Sequence, residues 1–232
     1  MNFGPNQGPT SLPSLEEQEK NPKKDISSWI EEEKWKDDPV IVERVKNIEK
    51  FLAGLDPREI GNVLKYGFTS PFTQIYLKSG FNEETSSLLK SRVKDQTLVD
   101  LGSGEEIFSI LPWLKEAGIS EFVGVDKFPN KDLSWYQDKI KQNDLNGNYF
   151  KDDMLLFLAK LPDESANVMI NGIDHTIISN NEYWEKLKQE IRRVIPKYGV
   201  VLGYSSDFSE IEGLKSIKMI KDDNALSILG KE

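Results

Sequence analysis

The sequence predicts an α/β protein, a doubly wound and mostly parallel sheet with a terminal antiparallel hairpin, preceded by an N-terminal helical segment. Three observations carry this. After Lys94, short apolar and β-branched runs alternate with amphipathic helical stretches, the pattern of a sheet with helices on both faces. The first run, Thr97 to Leu101, leads into the glycine turn Gly102-Ser103-Gly104, and the second, Glu121 to Asp126, ends in an acid about 20 residues past that turn. The last two runs, Ser216 to Ile220 and Ala225 to Leu229, have Asp222-Asp223-Asn224 between them, a composition suited to a hairpin.

Composition narrows the function classes before any motif is read. The chain has 232 residues, 38% hydrophobic and 30% charged, which suits one globular domain with an appendage. It has no cysteine and one histidine, so disulfides, thiolate metal sites and a cysteine nucleophile are excluded and no metal centre is expected. Net charge is −9, most of it after residue 95, with no basic block, which disfavours unspecific attraction to nucleic acid. No run approaches the roughly 18 apolar residues of a membrane span, and the first thirty residues lack a signal-peptide core. The expected address is therefore cytoplasmic, without a membrane partner.

Residues 1–24 mix Gly, Pro, Asn, Ser and charge without periodicity, so they are expected to form a flexible tail. Residues 25–95 are expected to form the helical segment, a lid or cap. Ser28 and Glu31 resemble a capping box, and Asp38-Pro39 signals a helix with Ile41, Val45, Ile48 and Leu52 on one face and Gly54 as its stop. Asp56-Pro57 and Gly67 repeat the start and stop. Asn82 then precedes a helix carrying Leu88, Leu89 and Val93.

Residues 96–232 form the alternating domain. The first strand, which starts at Thr97 and ends at Asp100, is followed by a helix over Ile107 to Ala117 that stops at Gly118, then by the strand ending at Asp126. A helix over Lys131 to Gln142, a short strand at Tyr149-Phe150, and Asp152-Asp153 as its terminator come next. Leu155 to Lys160 leads to a strand over Ala166 to Ile173. A helix over Tyr183 to Ile195, with Leu187, Ile191 and Val194 on one side, precedes the strand Gly199 to Tyr204 and the hairpin.

The glycine turn is the candidate binding element. Its glycines accept positive φ and let a ligand approach the backbone, while the next helix offers amide N–H groups. With Asp126 placed to accept from ribose hydroxyls, strand, turn, helix, strand and acid together point to a ribose-containing ligand.

VDLGSGEE (Val99 to Glu106), VGVD (Val123 to Asp126), Lys151-Asp152-Asp153-Met154, LPDESANVMI and EIRRVIPKYGVVLGY, in this order and spacing, resemble the class I S-adenosylmethionine-dependent methyltransferases over residues 96–232. That resemblance implies a seven-stranded sheet, S-adenosyl-L-methionine as cofactor, and a small-molecule or protein methyl acceptor. It also implies roles. Asp100 and the Gly102, Ser103 and Gly104 backbone would lie under the methionine part of the cofactor, and Asp126 would bond its ribose. Asp153 would accept from the adenine amino group with Met154 beside the ring, and Phe128 would stack on it. Glu106 stands where the family has a third glycine, and Lys127 where an apolar residue is common.

Methyl transfer from a sulfonium is an in-line displacement in which positioning is the main contribution, and a base is needed only when the acceptor must lose a proton. The acceptor site of this fold lies beyond strand four, where the chain reads Asn171-Gly172-Ile173-Asp174-His175. His175, with Asp174 and Asn171, forms the candidate catalytic set, since an imidazole titrates near neutrality; a loop histidine bonded to backbone is the structural alternative. No pair of prolines follows Asn171, so the motif of amino-group methyltransferases acting on adenine or glutamine is absent. Two other classes stay open: a protein that binds the cofactor without turnover, and an NAD-dependent oxidoreductase built on the same turn and acid.

Overall fold

Seven strands form one sheet in the order β3-β2-β1-β4-β5-β7-β6. They are β1 (Thr97–Leu101), β2 (Glu121–Asp126), β3 (Asn146–Lys151), β4 (Asn167–Ile170), β5 (Val200–Gly203), β6 (Lys215–Ile220) and β7 (Leu226–Gly230). The first five pair in parallel, and β7 runs antiparallel between β5 and β6, as the sequence predicts. The computed structural model describes residues 25–55, 83–170, 181–203, 211–220 and 226–231.

Side chains alternate across the sheet, and each face has its own apolar layer. Val99, Leu101, Val123, Val125, Val168 and Ile170 point to one side, where they meet α1 (Ile26–Glu31), α2 (Pro39–Gly54), α6 (Met154–Lys160) and α7 (Asn181–Val194). Leu98, Phe122, Tyr149, Met169 and Val200 point to the other, against α3 (Glu83–Val93), α4 (Leu111–Glu116) and α5 (Leu133–Gln142). The segment 25–95 is thus divided. Its first two helices complete one layer of the core, and Leu89 and Val93 of α3 complete the other.

Two N-terminal features follow from named side chains. Asp38 caps α2 by accepting from the amides of Val40 and Ile41 at 2.9 and 3.3 Å, with Pro39 as the first helical residue. A cap of this kind contributes about 1 kcal/mol. The capping box at Ser28 does not form. Asp25 is the cap of α1 and accepts from the Ser28 amide at 2.8 Å, while the Ser28 hydroxyl donates to Glu32 Oε1. The physical reason is tertiary: the buried Glu121 carboxylate accepts from Ile26 N at 3.0 Å and Ser27 N at 2.7 Å, so the helix starts there.

The helix expected over Ile107 to Ala117 is broken in two. A 3₁₀ turn over Glu105–Ser109 precedes α4, which starts at Leu111 with Pro112 in its first turn. Proline has no N–H and disfavours the α conformation in the residue before it, so one continuous α-helix cannot cross this point. β3 is longer than Tyr149-Phe150 and begins at Asn146; as an edge strand with polar, partly exposed residues it lacks the apolar signature of its neighbours. The Leu155 to Lys160 stretch is a helix, α6, with Asp153 as its cap. Residues 1–24, Asp56-Pro57, Gly67, Asn82 and the hairpin turn Asp222-Asp223-Asn224 lie outside the described residues.

Candidate functional site

The strand order reverses between β1 and β4, and in open parallel sheets ligands bind outside the carboxyl ends of the strands at such a switch point. The glycine turn leaves β1 at this place. Gly102 has φ 72°, a value a side chain resists. Its amide and that of Ser103 both donate to the Val125 carbonyl, at 2.9 and 3.0 Å, which ties the turn to the end of β2. These two amides are therefore engaged inside the protein. Gly104 has an ordinary φ, and a Cβ built on it would meet nothing within 4 Å.

Asp100 lies beneath the turn, paired with Gly124 on β2 and Met169 on β4. It is fully buried, and neither carboxylate oxygen has a hydrogen-bond partner among the described residues; the buried Ser103 hydroxyl also has none. Loss of water pushes the Asp100 carboxyl well above its usual range. The nearby Ser103 hydroxyl opposes this, and the charge of Asp126 adds to it. Unpartnered buried acids are uncommon because each costs about 1–3 kcal/mol or more.

Asp126 ends β2 beside the turn. Its Oδ1 accepts from the Phe128 amide at 2.7 Å, and no described residue engages Oδ2. Burial raises its pKa, and the Phe128 amide offsets part of the rise. The Phe128 ring is 47% exposed, with the Lys127 ammonium 5.9 Å from its centre.

Asp153 is placed differently from a free acceptor. Its Oδ1 takes the amides of Leu155 and Leu156 at 3.0 and 3.4 Å and the Tyr183 hydroxyl at 3.0 Å, while Oδ2 pairs with Lys127 Nζ at 3.1 Å. The carboxylate is buried and satisfied within the protein. Met154 follows it as the first, buried residue of α6.

The site's aromatic wall is easily overlooked from sequence. Tyr149 of β3 stacks on Tyr136 of α5, ring centres 3.9 Å apart and 15° from parallel, with Phe108 and Trp135 edge-on or tilted nearby. The Tyr149 hydroxyl donates to the Ser103 carbonyl, and the Tyr136 hydroxyl to Asn130 Oδ1 at 2.6 Å. The signal for this wall is Gly124, a glycine in the middle of a buried strand, which lies opposite Tyr149 in register.

Asp100, Gly102, Ser103, Gly104, Asp126 and Phe128 are brought together at the ends of β1 and β2, and Asp153 joins them through Lys127. The candidate catalytic residues Asn171, Asp174 and His175 lie outside the described residues, as does the side chain of Glu106. Among the described residues no group of acids and histidines could hold a metal ion, and no helix is long and apolar enough to cross a membrane.

No family model matches the chain, and no curated protein does. Of the solved structures, 132 chains match. A SAM dependent methyltransferase from Aquifex aeolicus is 14% identical, with 76% of this chain and 98% of that one covered and a TM-score of 0.48. A ribosomal protein L11 methylase from Lactobacillus delbrueckii is 15% identical, covering 63% and 77%, with a TM-score of 0.45. A putative sam-dependent methyltransferase from Streptococcus mutans is 11% identical, covering 62% and 46%, with a TM-score of 0.46. The chain is structurally similar, at low identity, to many class I Rossmann-like methyltransferases.

Proposed function

We propose that the chain binds S-adenosylmethionine at the carboxyl ends of β1 and β2 and transfers its methyl group to a small-molecule or protein acceptor. The observation that supports this reading is Asp100, a fully buried carboxylate with both oxygens unpartnered, directly beneath a glycine turn whose outer side is open at Gly104. Such a carboxylate gains from a cation brought over the turn, because an opposite charge nearby favours its ionised form. S-adenosylmethionine supplies an ammonium group and an electrophilic methyl on a sulfonium. A pyrophosphate over the same turn would be repelled by an ionised Asp100, which weighs against the NAD reading.

The chain's own residues then have separable tasks. Asp126 keeps one oxygen on the Phe128 amide, which fixes its rotamer, and offers Oδ2 to ribose hydroxyls. Phe128 offers an exposed ring for stacking beside that acid. Gly104 leaves space where any side chain would intrude. Lys127 and Asp153 neutralise each other, with the Lys127 ammonium 5.9 Å from the centre of the Phe128 ring. His175, with Asp174 and Asn171, is the proposed source of a base on the acceptor side. The site is expected in a cytoplasmic protein, and the net charge of −9 disfavours a nucleic acid partner.

Calorimetric titration with S-adenosylmethionine, S-adenosylhomocysteine and NAD tests the reading. Binding of the first two and not the third is expected. NAD binding alone would overturn it, and cofactor binding without turnover on any acceptor would favour a non-catalytic binding protein.

A further inference from the structure

The buried Tyr149 hydroxyl donates to the carbonyl of Ser103, inside the glycine turn. A peptide unit is planar and trans, so the Ser103 carbonyl and the Gly104 N–H of the same unit point in opposite directions. With the carbonyl turned inward to Tyr149, the Gly104 N–H is turned the opposite way, and a Cβ on the same residue would meet no protein atom within 4 Å. We infer that Tyr149 is a positioning residue, which aims the Gly104 amide at an anionic group of the ligand, namely the carboxylate of its amino-acid part.

Several features of the sheet serve this one contact. Gly124 vacates the space that the Tyr149 ring occupies, since a Cβ there would lie 2.5 Å from the ring. Tyr136 holds the other face of the ring and is itself tied to Asn130 in the loop after β2. The Ser103 amide is fixed to Val125, so of the two peptide units that flank Ser103 one is held by backbone and the other by Tyr149. Without the hydroxyl, the Ser103–Gly104 unit would be free to turn over, because glycine accepts either orientation of the peptide before it. Burial and the surrounding acids push the Tyr149 hydroxyl far above its ordinary pKa, so it remains a donor throughout the working pH range.

The inference rests on the proposed cofactor, and its test separates the two. Tyr149→Phe keeps the ring and the stack and removes only the donor. Wild type and variant are titrated with S-adenosylhomocysteine, which carries the carboxylate, and with 5′-methylthioadenosine, which lacks the amino-acid part. The variant is expected to bind S-adenosylhomocysteine about three- to tenfold more weakly, the range of one hydrogen bond, and 5′-methylthioadenosine as wild type does. Equal loss for both ligands, or loss for neither, overturns the inference. Hydrogen exchange of the ligand-free protein is the second measurement: the Gly104 amide should change its exchange rate in Tyr149→Phe while the β2 amides keep theirs, and no change there also overturns it. Wild type that binds neither nucleoside defeats the proposed cofactor, while the exchange measurement still decides whether Tyr149 orients the turn.

Discussion

Replacing Asp126 by alanine removes the acid that ends β2, which, unlike the fully buried Asp100, is partly exposed at the site. Oδ1 accepts from the Phe128 amide and Oδ2 has no partner among the described residues, so at least one charge-assisted bond to a ribose hydroxyl is lost. Such bonds contribute about 1.5–3 kcal/mol each. At about 1.4 kcal/mol per factor of ten, the dissociation constant for S-adenosylmethionine should rise by at least tenfold, and by about a hundredfold if a single bond is at the upper end. Calorimetry on wild type and Asp126→Ala measures this, with circular dichroism to show that β2 is intact. The pH dependence gives an independent check. Burial holds the Asp126 pKa above the ordinary carboxylate value, and only the ionised form is the strong acceptor. Affinity in the wild type should therefore fall as pH is lowered, starting above the pH at which an exposed aspartate titrates, and Asp126→Ala should lack this part of the profile. Undiminished affinity in the variant would refute the ribose role, whatever the fold.

Asp100→Asn should melt at a higher temperature than wild type at neutral pH, because a neutral amide replaces a carboxyl whose ionised form burial disfavours. The folded pKa of Asp100 is raised above the unfolded value, so the stability of its neutral form is present below about pH 4 and is lost as pH rises through the folded pKa. Melting curves should thus converge toward pH 4 and separate above it, and the more stable variant should bind S-adenosylmethionine more weakly. Gly104→Val should fold with a near-native melting temperature, because its Cβ meets open space, yet lose ligand binding; binding at wild-type strength would show that no ligand occupies that space. His175→Asn should reduce methyl transfer with cofactor affinity intact, and an unchanged rate across pH 6 to 8 would return His175 to a structural role.

The sheet was legible because its signals are local. Each buried strand carries a run of apolar residues, and Asp38-Pro39, Gly54 and the glycine turn mark boundaries through their own backbone chemistry. What could not be read depends on contacts distant in sequence. Ser28 looks like a cap until the Ser27 amide is seen to be held by Glu121, which is 94 positions from Ser27. Asp153 has the neighbours of a ligand acceptor in sequence, but Tyr183 and Lys127 reach it only in the fold. The helix after the turn is interrupted at Ile110, and Pro112 lies in the first turn of the shorter helix that follows. The role of Gly124 became apparent only when register placed it against Tyr149.

The seven-residue helix α6 is held at both ends by different parts of the chain. At its start Asp153 supplies the cap; beyond its last turn the Lys160 carbonyl accepts from Trp29 Nε1 at 2.9 Å, and Leu161 from Arg44 and Arg193 at 3.2 and 2.8 Å. A helix this short has no independent stability in water, so its order is borrowed from α1, α2 and α7. A polypeptide started at the first strand would leave the Lys160 carbonyl without Trp29, the Leu161 carbonyl without Arg44, and the Glu121 carboxylate without the Ile26 and Ser27 amides. The strand-and-helix alternation therefore marks where the motif starts, whereas the contacts that complete its core reach back to α1.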